Sequence, residues 1–307
     1  MKFKGTSIVS LRDFDRDAIM HILESARKTD KNPGQYADRL KGRVLATLFF
    51  EPSTRTRLSF ESAMLRVGGE VMGFSDAKGT SAQKGESLAD SIKIVESYSD
   101  LIVLRHPVEG AARMASEISR IPIINGGDGA NQHPSQTFLD LYTILKAKKK
   151  LDRLKVGFMG DLKYGRTVHS LAYALALFKA RMYFISPPLL PLPIYQKEEL
   201  EEMRVNFSEH RDFNDVKKDL DILYVTRIQR ERFGDDLDYE KVKEGYFISE
   251  KSLEGSKSTM KILHPLPRVD ELSDDVDATE HALYFEQAAN GIPVRMALLC
   301  LVMGAMR

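Results

Sequence analysis

The sequence predicts an α/β protein built from two doubly wound parallel-sheet domains. Short, almost wholly apolar runs rich in β-branched residues alternate with longer segments of helical period, and the alternation restarts at Lys155. The chain of 307 residues suits two domains at roughly 100–200 residues each.

Leu11–Lys28 places Phe14, Ala18, Ile22 and Ala26 on one stripe and predicts the first helix. Val44–Phe50 (VLATLFF), Leu101–Arg105 (LIVLR) and Ile121–Asn125 (IPIIN) are bounded by turn residues, as central parallel strands buried on both faces would be. Arg55–Val67 repeats the helical stripe with Phe60, Met64 and Val67 until Gly68-Gly69 stops it. Pro134–Lys149 reads as a helix closed by KAKKK, whose charge suits a C-terminus. The second set runs from KVGFMG at Lys155, through a helix over Arg166–Phe178, to RMYFIS. Further strands are expected at Asp221–Val225, Met260–Leu263 and Ala282–Phe285, and a last helix at Glu286–Met306. PPLLPLP at 187–193 cannot be helix and is expected to form a loop wall. The expected division is residues 1–134, completed by 290–307, against 135–289.

Lys and Arg total 45 against 44 Asp and Glu, a net charge of +1, which argues against a basic nucleic-acid coat or an acidic tail. A single cysteine, Cys300, excludes an internal disulfide framework and a Cys-rich zinc site, and its apolar surroundings point to packing. No metal or cofactor is expected. The N-terminal MKFKGTSIVSLRDF has no continuous apolar stretch, and the longest apolar run, Met296–Met303, is far below the ~20 residues that span a bilayer. A cytoplasmic protein without membrane contact is expected.

Three segments carry chemistry. Phe50-Glu51-Pro52-Ser53-Thr54-Arg55-Thr56-Arg57 follows a buried strand and opens a helix, where unpaired N–H groups and the helix dipole favour an anion. Two arginines in that first turn oppose the dipole, and a bound anion would account for them. Gly126-Gly127-Asp128-Gly129-Ala130-Asn131-Gln132-His133-Pro134-Ser135-Gln136 has the same strand-to-helix placement, with His133 and Gln136 one turn apart. Gly160-Asp161-Leu162-Lys163-Tyr164-Gly165-Arg166-Thr167 has P-loop spacing, but Arg166 stands where the phosphate-binding lysine would be. With no partner strand ending in a metal-binding aspartate, a nucleotide hydrolase is set aside. Lys84, Arg105, Thr226-Arg227-Ile228-Gln229 and His264-Pro265-Leu266-Pro267-Arg268 add groups at strand ends or adjoining loops, where open α/β sheets bind ligands. Converging on one cleft, Arg55, Lys84, Arg105, Arg166 and Arg227 imply small polyanionic substrates. No Ser-His-Asp arrangement or metal-ligand cluster is present, so polar stabilisation is the expected mode of catalysis.

PSTRTRLSFE, the Lys84 loop, GDGANQHPSQTFLDL, GDLKYGRTVHSL, TRIQRER and HPLPRVDEL resemble, in order and over essentially the whole chain, the signature segments of aspartate carbamoyltransferase catalytic chains. The resemblance implies a carbamoyl-phosphate domain (1–134 with 290–307), an aspartate domain (135–289), and an active site in the cleft between them. It implies that Ser53, Thr54, Arg55 and Thr56 hold phosphate, with Arg105 reaching phosphate and the carbonyl oxygen. Thr56, Arg105 and His133 would polarise that carbonyl. Gln136 and the Leu266 backbone would hold the carbamoyl NH₂, beside a cis Leu266–Pro267 bond. Arg166, Arg227 and Gln229 would bind the aspartate carboxylates, and Lys84 both substrates. Ser81 and Lys84 would come from a neighbouring subunit of a homotrimer. A separate zinc-containing regulatory chain, giving an allosteric holoenzyme, is the further partner implied. The activity implied is the committed step of de novo pyrimidine biosynthesis.

Two other readings compete. Ornithine carbamoyltransferases share the fold but typically carry a cysteine in a His-Cys-Leu-Pro segment; here the segment is His264-Pro265-Leu266-Pro267. A non-catalytic anion-binding protein on the same fold would be expected to have lost a key polar group, and none of the cations above is missing. Ala82-Gln83 and Pro293-Val294 are the local departures from the family pattern.

Overall fold

Strand β1, Val44–Phe49, forms where an apolar run has β-branched and aromatic side chains suited to a surface covered on both faces. The computed structural model, which describes residues 3–228 and 245–306, pairs β1 on one side with β2 (Glu70–Phe74) and on the other with β3 (Leu101–His106). Strand β4 (Ile123–Asp128) completes a parallel sheet of order β2-β1-β3-β4. A second parallel sheet has the order β7-β6-β5-β8-β9, from β5 (Lys155–Met159), β6 (Arg181–Ile185), β7 (Phe207–His210), β8 (Ile222–Val225) and β9 (Lys261–Leu263). The two doubly wound parallel sheets are those the sequence predicts.

The chain divides into two compact units, Met1–Tyr142 with Ala289–Arg307, and Thr143–Ala288. In the first, helices α1 (Arg16–Lys31), α2 (Thr54–Arg66), α3 (Leu88–Val95) and α4 (Ala111–Ile118) accompany the sheet. The division falls inside α5 (Pro134–Lys148). The second unit contains α6 (Arg166–Ala176), α7 (Ile194–Glu202) and most of α8 (Tyr284–Ala289). The apolar α9 (Gly291–Val302) returns to the first unit and packs on α1 and α2. There Thr29 Oγ1 of α1 donates to the Pro293 carbonyl at 2.7 Å.

Three elements differ from expectation. The first helix begins later: Leu11–Asp13 is a 3₁₀ turn, and Asp15, in extended backbone, caps α1 by accepting from the Ala18 N–H at 2.8 Å. Ala282–Phe285 is not a strand. Ala282 makes one isolated bridge to Ile262, and Tyr284, fully buried with its hydroxyl donating to Asp277, already starts α8. The last helix is two helices, interrupted at Asn290. Among the described residues, no helix is long and apolar enough to cross a membrane.

Candidate functional site

Each sheet contains one place where neighbouring parallel strands send the following chain to opposite sides, opening a crevice at their carboxyl ends. In the first sheet this switch lies between β1 and β3, and in the second between β5 and β8. Ser53–Thr56 and Arg105 follow the strands of the first switch, and Arg166 and Arg227 those of the second, while the other described candidates follow edge strands.

At the first switch, Phe50 N–H donates to the Arg105 carbonyl at 2.9 Å, which brings the Ser53–Arg57 turn beside the end of β3. Ser53, in extended backbone, is the N-cap of α2, yet its hydroxyl makes no capping bond and the first turn contains no acidic residue. The N–H groups there, with the hydroxyls of Thr54 and Thr56, form a donor-rich turn. Thr56 is buried, whereas Arg55 faces solvent and has its pKa lowered by partial desolvation. Arg57 pairs instead with Glu61 of the next turn at 3.7 Å. Arg105 is buried and held by two partners: Nη2 meets Glu51 Oε1 at 2.7 Å and Nη1 donates to the Gly126 carbonyl at 3.0 Å. The β3–β4 register shifts between Leu104 and His106, around the residue that bears this guanidinium.

Beyond β4 the chain is shaped by Asp128. Its carboxylate accepts from Asn125 Nδ2, the Gln132 N–H, the Gly110 N–H and Asn131 Nδ2, at 2.8 to 3.1 Å. Gly129 turns back at φ +53, and α5 then starts beside the buried His133, with Gln136 in its first turn. Gln136 Nε2 donates to the buried Asp140 at 2.9 Å. Ser81 and Lys84 lie exposed on the 3₁₀ turn Ser81–Lys84, which follows edge strand β2.

At the second switch, Met159 and Val225 are register partners at the ends of β5 and β8. Gly160 follows at φ +116; a Cβ there would stand 2.1 Å from the Thr226 carbonyl oxygen, so only glycine lets the two chain ends pass. The buried Asp161 accepts from the N–H groups of Lys163 and Tyr164 at 3.1 and 2.9 Å, folding the loop so that Arg166 opens α6. Its N-cap is Gly165, which has no side chain to cap with. Arg227, half-buried, follows the end of β8. Gln229 lies outside the described residues.

In the same unit, β9 runs into His264. Leu266 N–H donates to His264 Nδ1 at 2.8 Å, so the ring proton is on Nε2, 2.7 Å from Glu271 Oε1. Gln287 Oε1 accepts from the His264 N–H at 2.8 Å. This set of bonds fixes Leu266 at φ +54 before a cis Leu266–Pro267 bond. Burial pushes the Glu271 pKa up, but the hydrogen bond from His264 and nearby backbone N–H groups outweigh it, and the value lies below normal.

Glu51, Asp140 and Glu271 are the polar groups that sequence reasoning did not assign. All three lie inside the quoted segments; what stayed hidden was their pairing, which for Glu51 spans 54 positions. Among the described residues, no group of three or more His, Cys, Asp or Glu is placed to hold a metal.

A family model described as aspartate/ornithine carbamoyltransferase, carbamoyl-P binding domain, matches residues 6–146. Its Asp/Orn binding domain counterpart matches residues 152–302. The aspartate carbamoyltransferase catalytic subunit of Thermococcus onnurineus is 56% identical over 308 residues, covering 100% of this chain and 99% of its own. That of Methanopyrus kandleri is 54% identical, with 98% of each covered. Among solved structures, the catalytic subunit of M. jannaschii aspartate transcarbamoylase matches with TM-score 0.90 at 53% identity, covering 97% of both chains. Aspartate transcarbamoylase from Trypanosoma cruzi, in complex with carbamoyl phosphate and aspartate, matches with TM-score 0.92 at 37% identity, covering 98% of this chain and 96% of its own.

The Glu271–His264 pair has a measurable pH signature. Because the folded pKa of Glu271 is below its ordinary 4.5, its contribution is complete above that value and is lost as the pH falls through the lowered one. Glu271→Gln is expected to lower stability at neutral pH by about 2 kcal/mol and to reduce the further loss on acidification. Urea denaturation at neutral and acid pH checks this, and equal acid sensitivity in both proteins contradicts it.

Proposed function

The chain belongs to the aspartate/ornithine carbamoyltransferase family, and from that premise we propose that it transfers the carbamoyl group of carbamoyl phosphate to the α-amine of L-aspartate. The products are N-carbamoyl-L-aspartate and phosphate. The observation that carries the choice of aspartate over ornithine is the pair Arg166 and Arg227, which follow the register-paired ends of β5 and β8. Two guanidinium groups at one switch point suit a dicarboxylate and repel a cationic amino acid. The identity to named aspartate carbamoyltransferases supports the same choice.

In this reading, the turn Ser53–Thr56 and Arg105 hold the phosphate, while Thr56, Arg105 and His133 face the carbonyl oxygen. Gln136 and the backbone at Leu266–Pro267 take the carbamoyl NH₂. Arg166 and Arg227 hold the aspartate carboxylates together with Gln229, and Lys84 reaches both substrates. The deprotonated amine attacks the carbamoyl carbon, a C–N bond forms, and negative charge gathers on the carbonyl oxygen opposite those donors. The bond from carbon to the bridging oxygen then breaks and phosphate departs, taking up the proton released by the amine. No protein nucleophile is used. The rate derives from orientation and from donors fixed in advance where charge develops. Arg105 suits this role because Glu51 and the Gly126 carbonyl already hold its guanidinium in place.

The active unit in this proposal is a homotrimer in which Ser81 and Lys84 serve a neighbouring subunit. Large apolar side chains left exposed on the first unit support a contact with a second copy: Leu58 and Leu65 on α2, Met72 on β2, Ile94 on α3 and Tyr98 just after it. The Ser81–Lys84 turn lies between β2 and α3 in sequence, among these residues. The relatives' designation as catalytic subunits supports assembly with a further chain, for which a zinc-containing regulatory chain is the implied partner. A cytoplasmic location accords with a chain whose one cysteine, Cys300, is buried and has its pKa pushed up to about 12 by desolvation. Light scattering is expected to give three chains per particle or a multiple of three, and a single chain would overturn the shared site.

Phosphate release from carbamoyl phosphate, followed with aspartate and ornithine in parallel, tests the reaction. Release that needs aspartate and yields N-carbamoyl-aspartate is expected; release with ornithine alone overturns the roles of Arg166 and Arg227. Arg105→Ala is expected to lose at least about a hundredfold in turnover and Lys149→Ala nothing, so comparable activities would sink the site.

A further inference from the structure

The first unit contains a half-buried glutamine, Gln136, whose neighbours include two buried charged residues, Asp140 and Arg295. Gln136 and Asp140 stand one turn apart on α5, and Gln136 Nε2 donates to Asp140 Oδ1 at 2.9 Å. Asp140 has no solvent exposure. Its charge acts on Arg295 of α9, whose guanidinium packs over the Phe60 ring of α2 at 4.8 Å. Burial lowers the Arg295 pKa to about 10, and Asp140 is the charge that opposes this. The space for Arg295 depends on Gly291, where a Cβ would stand 2.3 Å from Arg295 Nη1.

The polarity of Gln136 follows from this arrangement. A side-chain amide has one donor end and one acceptor end, whereas a carboxylate only accepts. With Asp140 as neighbour, the Gln136 amide has one favourable placement, NH₂ toward the carboxylate and Oε1 away from it. The end left for a substrate is therefore an acceptor, which rewards an N–H donor and gains nothing from a methyl group of the same size.

We propose that Asp140 is a positioning residue that locks Gln136 as an acceptor and thereby selects a carbamoyl group over an isosteric acetyl group. The proposal deepens, and rests on, the reading in which Gln136 holds the carbamoyl NH₂. In Asp140→Asn the neighbouring group can donate as well as accept, so the Gln136 amide is no longer held in a single orientation.

The test measures binding of carbamoyl phosphate and acetyl phosphate, which differ only by NH₂ against CH₃, to the full chain and its variants. Asp140→Asn is expected to narrow the preference for carbamoyl phosphate at least about tenfold, with acetyl phosphate affinity nearly unchanged. In a Gln136→Ala background the same substitution is expected to change nothing further, a coupling that a purely structural role would not produce. Should Asp140→Asn fail to fold, Asp140→Leu with Arg295→Met removes both buried charges together and is expected to narrow the same preference. An unchanged preference in a folded Asp140 variant, where Gln136→Ala has lost it, overturns the role of Asp140 alone. An unchanged preference in Gln136→Ala overturns the assignment of Gln136, and this proposal with it.

Discussion

Much of this molecule depends on the crevice that a parallel sheet opens where adjacent strands send their chains to opposite sides. At that point the chains leaving β1 and β3, or β5 and β8, part in opposite directions. The following helix begins with N–H groups in the same place. The close passage of Gly160 against the Thr226 carbonyl shows how tightly the second switch is drawn. Two sheets give two such crevices, and each receives arginines.

Placing cations there opposes folding. Arg55 and Arg57 in the first turn of α2, and Arg166 in that of α6, stand at the positive end of a helix dipole, an arrangement that costs roughly 0.3–1 kcal/mol per charge at an exposed end. Arg105 is almost fully buried and depends on Glu51 and the Gly126 carbonyl for partners. Such unfavourable placements are explained if the charges meet an anionic ligand, a phosphate at one switch and a dicarboxylate at the other. Supporting residues such as Asp128, Asp161 and Glu271 contribute differently: each accepts backbone N–H groups and so sets the course of a loop that bears a proposed binding group.

The sequence made the buried strands legible because β1, β3, β5 and β8 are covered on both faces and read as apolar runs. Of the edge strands, β4 and β9 are legible in the sequence, whereas β2 and β7 are not. β2 contains Gly73 and exposed positions, and β7 is Phe-Ser-Glu-His, since an edge needs no continuous apolar pattern. Ala282–Phe285 looked like a strand because a bridging residue and a buried tyrosine resemble one locally; the helix that begins at Tyr284 is set by tertiary packing. In the candidate site, the strand-to-helix turns were legible from glycine, hydroxyl and arginine spacing. The pairing of Arg105 with Glu51, or of His264 with Glu271, arises only when distant or turned segments meet, and composition has no term for it.

The central claim is a division of labour, with phosphate bound at the first switch and the dicarboxylate at the second. Calorimetric titration of Arg55→Ala and Arg166→Ala with phosphate, and then with succinate, which has the carboxylates of aspartate but no amine, tests it most directly. The account predicts that Arg55→Ala loses phosphate binding, while Arg166→Ala keeps phosphate and loses succinate. Loss of phosphate binding in Arg166→Ala, or its retention in Arg55→Ala, would contradict the account.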